Sequence, residues 1–266
     1  MSTEDASISL TLLGPFGMRI DGRYCPPLPR RAQALIALLA LTNGHEIARE
    51  DAVAMIWGNG GGWRRGLGLR QTLQLIRYHA GVSLVRLSRG RLSLMLEGVT
   101  VDVAQFQSLA GSADCCELSR CAALYRGELL ENVATISPDF DEWITVERIR
   151  LAAIAAETMQ RVALGHLDAG EYDAAVAAAR RVVALDELRL DAHALLVGIL
   201  GRCGRRAEAQ RHSAFCARVL RSSEDDASAA AALLAPYLAD RARGGSRSGS
   251  TAAPFVPAPQ PMRGRR

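Results

Sequence analysis

The sequence predicts a mainly α-helical protein with a small β component, built as two domains. Three observations lead there. An apolar stripe at helical spacing is followed at once by a short hairpin. A helix-start signal, Ser137-Pro138-Asp139, opens a long helical region. Glycine and alanine positions then recur 34 residues apart, the period of a tetratricopeptide helix-turn-helix.

The chain opens with two short strands, Ile8 to Leu13 and Phe16 to Ile20, with a turn signal at Asp21-Gly22. Pro26, Pro27 and Pro29 forbid regular structure up to Arg30. From there RRAQALIALLALTNG reads as a buried helix ending at Gly44, and REDAVAMIWG as a second helix from Arg49 with Trp57 as a core anchor. In the third helix Leu69, Leu73, Ile76 and Ala80 form one apolar stripe, and Gly81 suits its C-terminal end. Gly66 and Gly68 each cost about 1 kcal/mol inside a helix. The helix is therefore expected to begin near Leu67, with Arg64 and Arg65 in an entry loop. Strands at Leu84 to Leu87 and Leu92 to Leu96 flank Ser88-Arg89-Gly90-Arg91, a hairpin turn. A helix followed by a basic-tipped hairpin is a winged helix.

Charge marks the same stretch. Between Asp51 and Glu97 there is no acidic residue, while Arg64, Arg65, Arg70, Arg77, Arg86, Arg89 and Arg91 are present. The segment carries +7 by that count, against +4 for the whole chain. Concentrated positive charge on a helix and hairpin predicts an anion-binding surface, with nucleic acid the obvious polyanion. Off the apolar stripe lie Arg70, Gln71, Gln74 and Arg77, and arginine and glutamine pair bidentately with guanine and adenine edges in a major groove.

In the second half, Cys115 to Arg126 reads as a helix. Ala169-Gly170 matches Cys203-Gly204, and Ala175 matches Ala209, each pair 34 apart. Helices are expected at about 140–168, 171–185, 189–201 and 205–221, stacked to offer a concave surface to protein partners. Ala229 to Ala239 reads as one more helix. The Gly-, Ser-, Pro- and Arg-rich segment from Gly244 to Arg266 reads as a disordered basic tail.

Several functions are excluded or disfavoured. The chain has no lysine, which rules out a Walker phosphate loop and a Schiff-base mechanism, so Gly60-Gly61-Gly62 is no phosphate cradle. Its five histidines show no HExxH or HxxxH spacing, and no GxSxG elbow is present. His166, Asp168 and Glu171 read as a solvated cluster. The six cysteines have no CxxC pair, and Cys115, Cys116 and Cys121 lack a nearby histidine, so reduced thiols and no metal or cofactor are expected. With no basic leader at the N-terminus and no apolar run of membrane length, a cytoplasmic protein without a membrane partner is expected. No enzyme is expected.

The string LLGPFGMRIDG, then RRAQALIALLAL, IWG, LRQTLQLIR and VDVAQFQSL, resembles the response-regulator type winged helix of the Streptomyces antibiotic regulatory proteins, a family of bacterial transcriptional activators. YRGELL followed by PDFDEWITVERIRL resembles more closely still the bacterial transcriptional activation domain that follows it. The resemblance implies a DNA-binding winged helix at 6–97, a tetratricopeptide-like activation domain at 98–222, and a C-terminal helix and tail at 223–266. It implies that the third helix reads double-stranded DNA, that Arg86, Arg89 and Arg91 of the wing reach phosphate or minor groove, and that the helical domain self-associates or touches RNA polymerase. Where the family's helix is usually basic at its end, this chain has Leu75 and Tyr78. On that departure rests the alternative, a protein-interaction adaptor with a degenerate winged helix.

Overall fold

The computed structural model describes residues 7–58, 62–133 and 135–219, without the side chains of residues 63–65, 217 and 219. The expected helix at Ala229–Ala239 and the tail beyond it lie outside the described residues.

The chain enters through β1 (Ile8–Thr11), which pairs antiparallel with β2 (Gly17–Ile20), and β2 pairs in turn with the two-residue β3 (Arg23–Tyr24). Then α1 (Arg30–Leu41) forms after the prolines, and Pro29 accepts from the amides of Ala32 and Gln33. Every residue from Ala32 to Ala40 is buried, so α1 is the central helix of this half. Its polar Gln33 donates from Nε2 to the Leu28 carbonyl at 2.6 Å, while its buried Oε1 finds no partner among the described residues. The helix stops at Thr42, whose hydroxyl donates back to the Leu38 carbonyl at 2.6 Å.

A short strand, β4 (Glu46–Ala48), leads into α2 (Arg49–Trp57). Next come α3 (Gly62–Ala80), β5 (Val85–Ser88) and β6 (Arg91–Leu94). The predicted hairpin is therefore the outer part of a three-stranded sheet ordered β4-β6-β5. After it, β7 (Val99–Val101) runs parallel to β1 and completes a four-stranded sheet, β3-β2-β1-β7. The boundary expected at residue 97 thus falls ahead of a strand that hydrogen-bonds to the first one.

From β7 the chain turns into α4 (Asp102–Ala110) and α5 (Cys115–Leu124), capped by Asp114, whose carboxylate accepts from the amides of Cys116 and Glu117. Asp102 is buried at the start of α4 and ties it to the end of β1. Its Oδ1 accepts from the Leu12 amide at 2.8 Å, and its Oδ2 accepts from Leu13 at 3.1 Å and Arg126 at 3.2 Å. Burial lifts this carboxyl above the ordinary aspartate range, against the pull of the two amides and of Arg126.

The long α6 (Pro138–Asp168) begins where the sequence marks it: Ser137 caps it by accepting from the Phe140 amide, and Pro138 occupies the first turn. It is followed by α7 (Tyr172–Leu185), α8 (Leu190–Arg202) and α9 (Arg206–Val219). The 34-residue repeat is visible bond by bond. At the end of α6 the amides of Ala169, Gly170 and Glu171 donate to Gly165, Leu167 and His166. At the end of α8 the amides of Cys203, Gly204 and Arg205 donate to Ile199, Gly201 and Leu200, each displaced by the same interval. Gly170 and Gly204 both hold positive φ, 78° and 75°, a left-handed helix end that a residue with a side chain resists. Ala175 and Ala209 are both buried where paired helices approach. Among the described residues no helix is long and apolar enough to cross a membrane.

Candidate nucleic-acid interface

The third helix differs from its expected form at one end. It starts at Gly62, so Arg64 and Arg65 belong to its first turns and not to an entry loop. The expectation weighed only the intrinsic cost of Gly66 and Gly68. What offsets that cost is packing: the Trp57 indole lies against Gly68, and a β-carbon there would stand 2.5 Å from Nε1. Trp57 is half-buried against the core, with the Arg31 guanidinium 5.9 Å from its ring centroid.

The rest of α3 has two clear faces. Leu69, Ile76 and Ala80 are fully buried, Leu73 is half-buried, and Thr72 joins the inner face. Arg70, Gln71, Gln74 and Arg77 are all exposed. Between them Leu75 is 40% and Tyr78 80% exposed, so two apolar-bodied side chains share this surface with the polar ones. Gly81 ends the helix at φ 69°, with its amide bonded to the Arg77 carbonyl at 3.0 Å.

The wing follows directly. Val85 pairs with Leu94 and Ser88 with Arg91 across the hairpin. Arg89 (φ 49°) and Gly90 (φ 76°) form the turn with both residues left-handed, the twist that matches a two-residue hairpin. Arg86, Arg89 and Arg91 are exposed. Arg91, however, is bonded to the Glu46 carboxylate on β4. A count along the chain finds no acid in this region because Glu46 precedes it; the pairing of β4 with β6 brings one in. In the sequence β4 is too short to show a strand's alternation.

These pieces define a winged helix joined to a tetratricopeptide-like helical domain. Residues 101–233 match the family described as bacterial transcriptional activator domain. The chain belongs to that family, and it fits the Streptomyces antibiotic regulatory protein type that its sequence resembles. Among solved structures it is similar to Mycobacterium tuberculosis EmbR in complex with a low affinity phosphopeptide, with 17% identity and a TM-score of 0.66. The match covers 88% of this chain and 66% of that one, so this chain spans just under two thirds of its structural relative. No match was found among curated proteins.

Proposed function

We propose that this chain is a sequence-specific DNA-binding transcriptional regulator, an activator, with residues 6–97 on the promoter and 98–222 serving self-association or contact with RNA polymerase. The observation that carries the reading is the division of α3: an inner face of Leu69, Thr72, Ile76 and Ala80, and an outer face offering Arg70, Gln71, Gln74 and Arg77. Such a helix fits a major groove, where Arg and Gln discriminate base edges. Arg86 and Arg89 at the wing supply phosphate contacts, which provide most of the affinity, while base contacts provide selectivity. Arg64 and Arg65 add positive charge at the helix entrance.

The test replaces Arg70 and Arg77 together by Ala. Both lie off the buried face, so the thermal transition should stay within a degree or two of the parent while binding to a selected promoter fragment is lost; each good bidentate contact is worth about 1–3 kcal/mol. Retained specific binding would overturn the assignment of α3 as the reading helix.

A second reading rests on Leu75 and Tyr78. Their exposure on the same face suits an adaptor whose winged helix has been turned to protein contacts. It predicts no salt-sensitive DNA binding at all, and loss of partner capture on Leu75→Ser with Tyr78→Ser.

A further inference from the structure

At one buried spot the two helical hairpins of the repeat keep the same packing but carry different chemistry. In the first, Met159 and Val182 are buried and Ala178 packs beside them. Thirty-four residues later the corresponding positions are His193, Cys216 and His212. An apolar trio therefore satisfies the packing of this hairpin, and two imidazoles and a thiol are not needed for it. His193 is 3% and Cys216 1% exposed, so these groups are polar inside a core.

Their arrangement is specific. His212 and Cys216 are four apart on α9, on one face of the helix, and His193 faces them from α8. One ligand atom from each of the three lies within 4.8 Å of the other two. His193 Nε2 is 2.8 Å from the Glu187 carbonyl, which can only accept, so Nε2 carries the proton and Nδ1 presents its lone pair. That lone pair points at His212 Nε2, 2.9 Å away. A backbone carbonyl fixing the far nitrogen is the usual support for a metal-binding histidine.

We propose that His193, His212 and Cys216 form a binding site for a divalent cation of the zinc type, clamping α8 to α9. Zinc takes nitrogen at about 2.0–2.1 Å and sulfur at about 2.3 Å, which places ligand atoms about 3.3–3.6 Å apart in a tetrahedron. The two imidazole nitrogens, 2.9 Å apart, stand just inside that spacing, and all three ligand atoms lie within 4.8 Å of one another. Binding replaces the proton shared between the two imidazoles, moves the His212 proton to Nδ1, and releases the Cys216 thiol proton to solvent. The fourth position falls to water: His212 lines a surface cavity of about 290 Å3 with Arg180, Glu208, Arg211 and Phe215. Arg180, the cation acting on His212, is itself paired with Glu208 at 2.8 Å.

The signal was present in the sequence as His212-Ser-Ala-Phe-Cys216, an i, i+4 ligand pair, but its third member comes from another helix.

The full chain, stripped of metal by a chelator, is titrated with Co2+ and then Zn2+. One equivalent of Co2+ should give tetrahedral ligand-field bands and a thiolate charge-transfer band, and Zn2+ should displace it and raise the Tm. Cys216→Ser should remove the charge-transfer band, and His212→Gln should weaken binding about tenfold or more. If the serine variant does not fold by circular dichroism, the half-buried His212 position decides. Absence of a charge-transfer band in the parent overturns the proposal. So does a band that survives loss of Cys216 or His212, or that disappears instead when the exposed Cys115 and Cys116 are replaced by Ser.

Discussion

Trp57 and Gly68 meet so closely that no β-carbon fits between them: one built on Gly68 stands 2.5 Å from the indole Nε1 and 3.2 Å from two ring carbons. A glycine that helix propensity counts as a defect is here the seat of the α2–α3 contact. Propensity and packing therefore make opposite predictions for Gly68→Ala. Propensity gives a gain of about 1 kcal/mol. Overpacking a rigid ring costs about 1–3 kcal/mol, so Gly68→Ala should lower the urea midpoint. Gly66 is the control. Its added methyl would meet the end of the flexible Arg49 side chain at 3.2 Å. The guanidinium can swing away, and Gly66→Ala should be neutral or stabilising by up to about 1 kcal/mol. If both variants shift the same way, the Trp57 contact does not govern this helix.

The same pair shows where the sequence was legible and where it was not. Helices with caps or stripes could be read from local pattern: Ser137-Pro138 starts α6, Arg49 starts α2, and Gly170 and Gly204 end two helices 34 residues apart. Features made by distant pairing could not. The strand β7 is three residues whose partner, β1, lies some ninety residues earlier, and β4 is three residues paired with β6. Asp102 looks like an ordinary first-turn acid in the sequence, and only the fold brings the Leu12 and Leu13 amides to it. In the outer face of α3 the stripe sufficed, because burial of Leu69, Ile76 and Ala80 leaves Arg70, Gln71, Gln74 and Arg77 nowhere but solvent.

Glu46 restrains Arg91 at the wing. Both side chains are about half exposed, at 53% and 42%, and such a pair is worth about 0–1 kcal/mol to stability. Its effect on DNA binding should be larger than its effect on folding. Glu46→Gln removes a negative charge from the wing and frees an arginine for phosphate. The slope of log K against log salt should steepen by about 0.9 if one more counterion is released. The unfolding midpoint should hardly move. Arg91→Ala should in turn cost less affinity than Arg89→Ala. An unchanged slope in the glutamine variant would mean that the wing does not approach the phosphates.

Three donors, the Leu12 and Leu13 amides and the Arg126 guanidinium, reach the two oxygens of Asp102, and the Val103 amide adds its pull. Asn has the same shape but carries one acceptor and one NH2. Whichever way the amide turns, it sets an N–H against either the Leu12 amide or the Leu13 amide and Arg126. Leaving a buried donor unsatisfied costs about 1–3 kcal/mol. Asp102→Asn should therefore destabilise the chain by that amount in urea unfolding, and amide exchange at Leu12 and Leu13 should speed up. A variant as stable as the parent would show that burial of the charge cancels everything the three bonds contribute.

Ser137 joins the two halves of the molecule with one hydroxyl. It accepts from the Phe140 amide at the start of α6 and donates to the Met55 carbonyl in the last turn of α2. Each helix end has a backbone group that its own helix cannot satisfy, and the hydroxyl answers one from each. Ser137→Ala should cost about 1–2 kcal/mol, the upper range for loss of an N-cap. Ser137→Thr keeps the hydroxyl and should recover most of that. The telling readout is hydrogen exchange. If the bond to Met55 couples the halves, the alanine variant should lose protection both in the first turn of α6 and at Gly58, whose amide closes α2 on the Ala54 carbonyl at 2.8 Å. Loss confined to α6 would reduce Ser137 to an ordinary cap and leave the junction to its other contacts, among them the Asp102 bonds and the Leu130 amide on the Leu12 carbonyl.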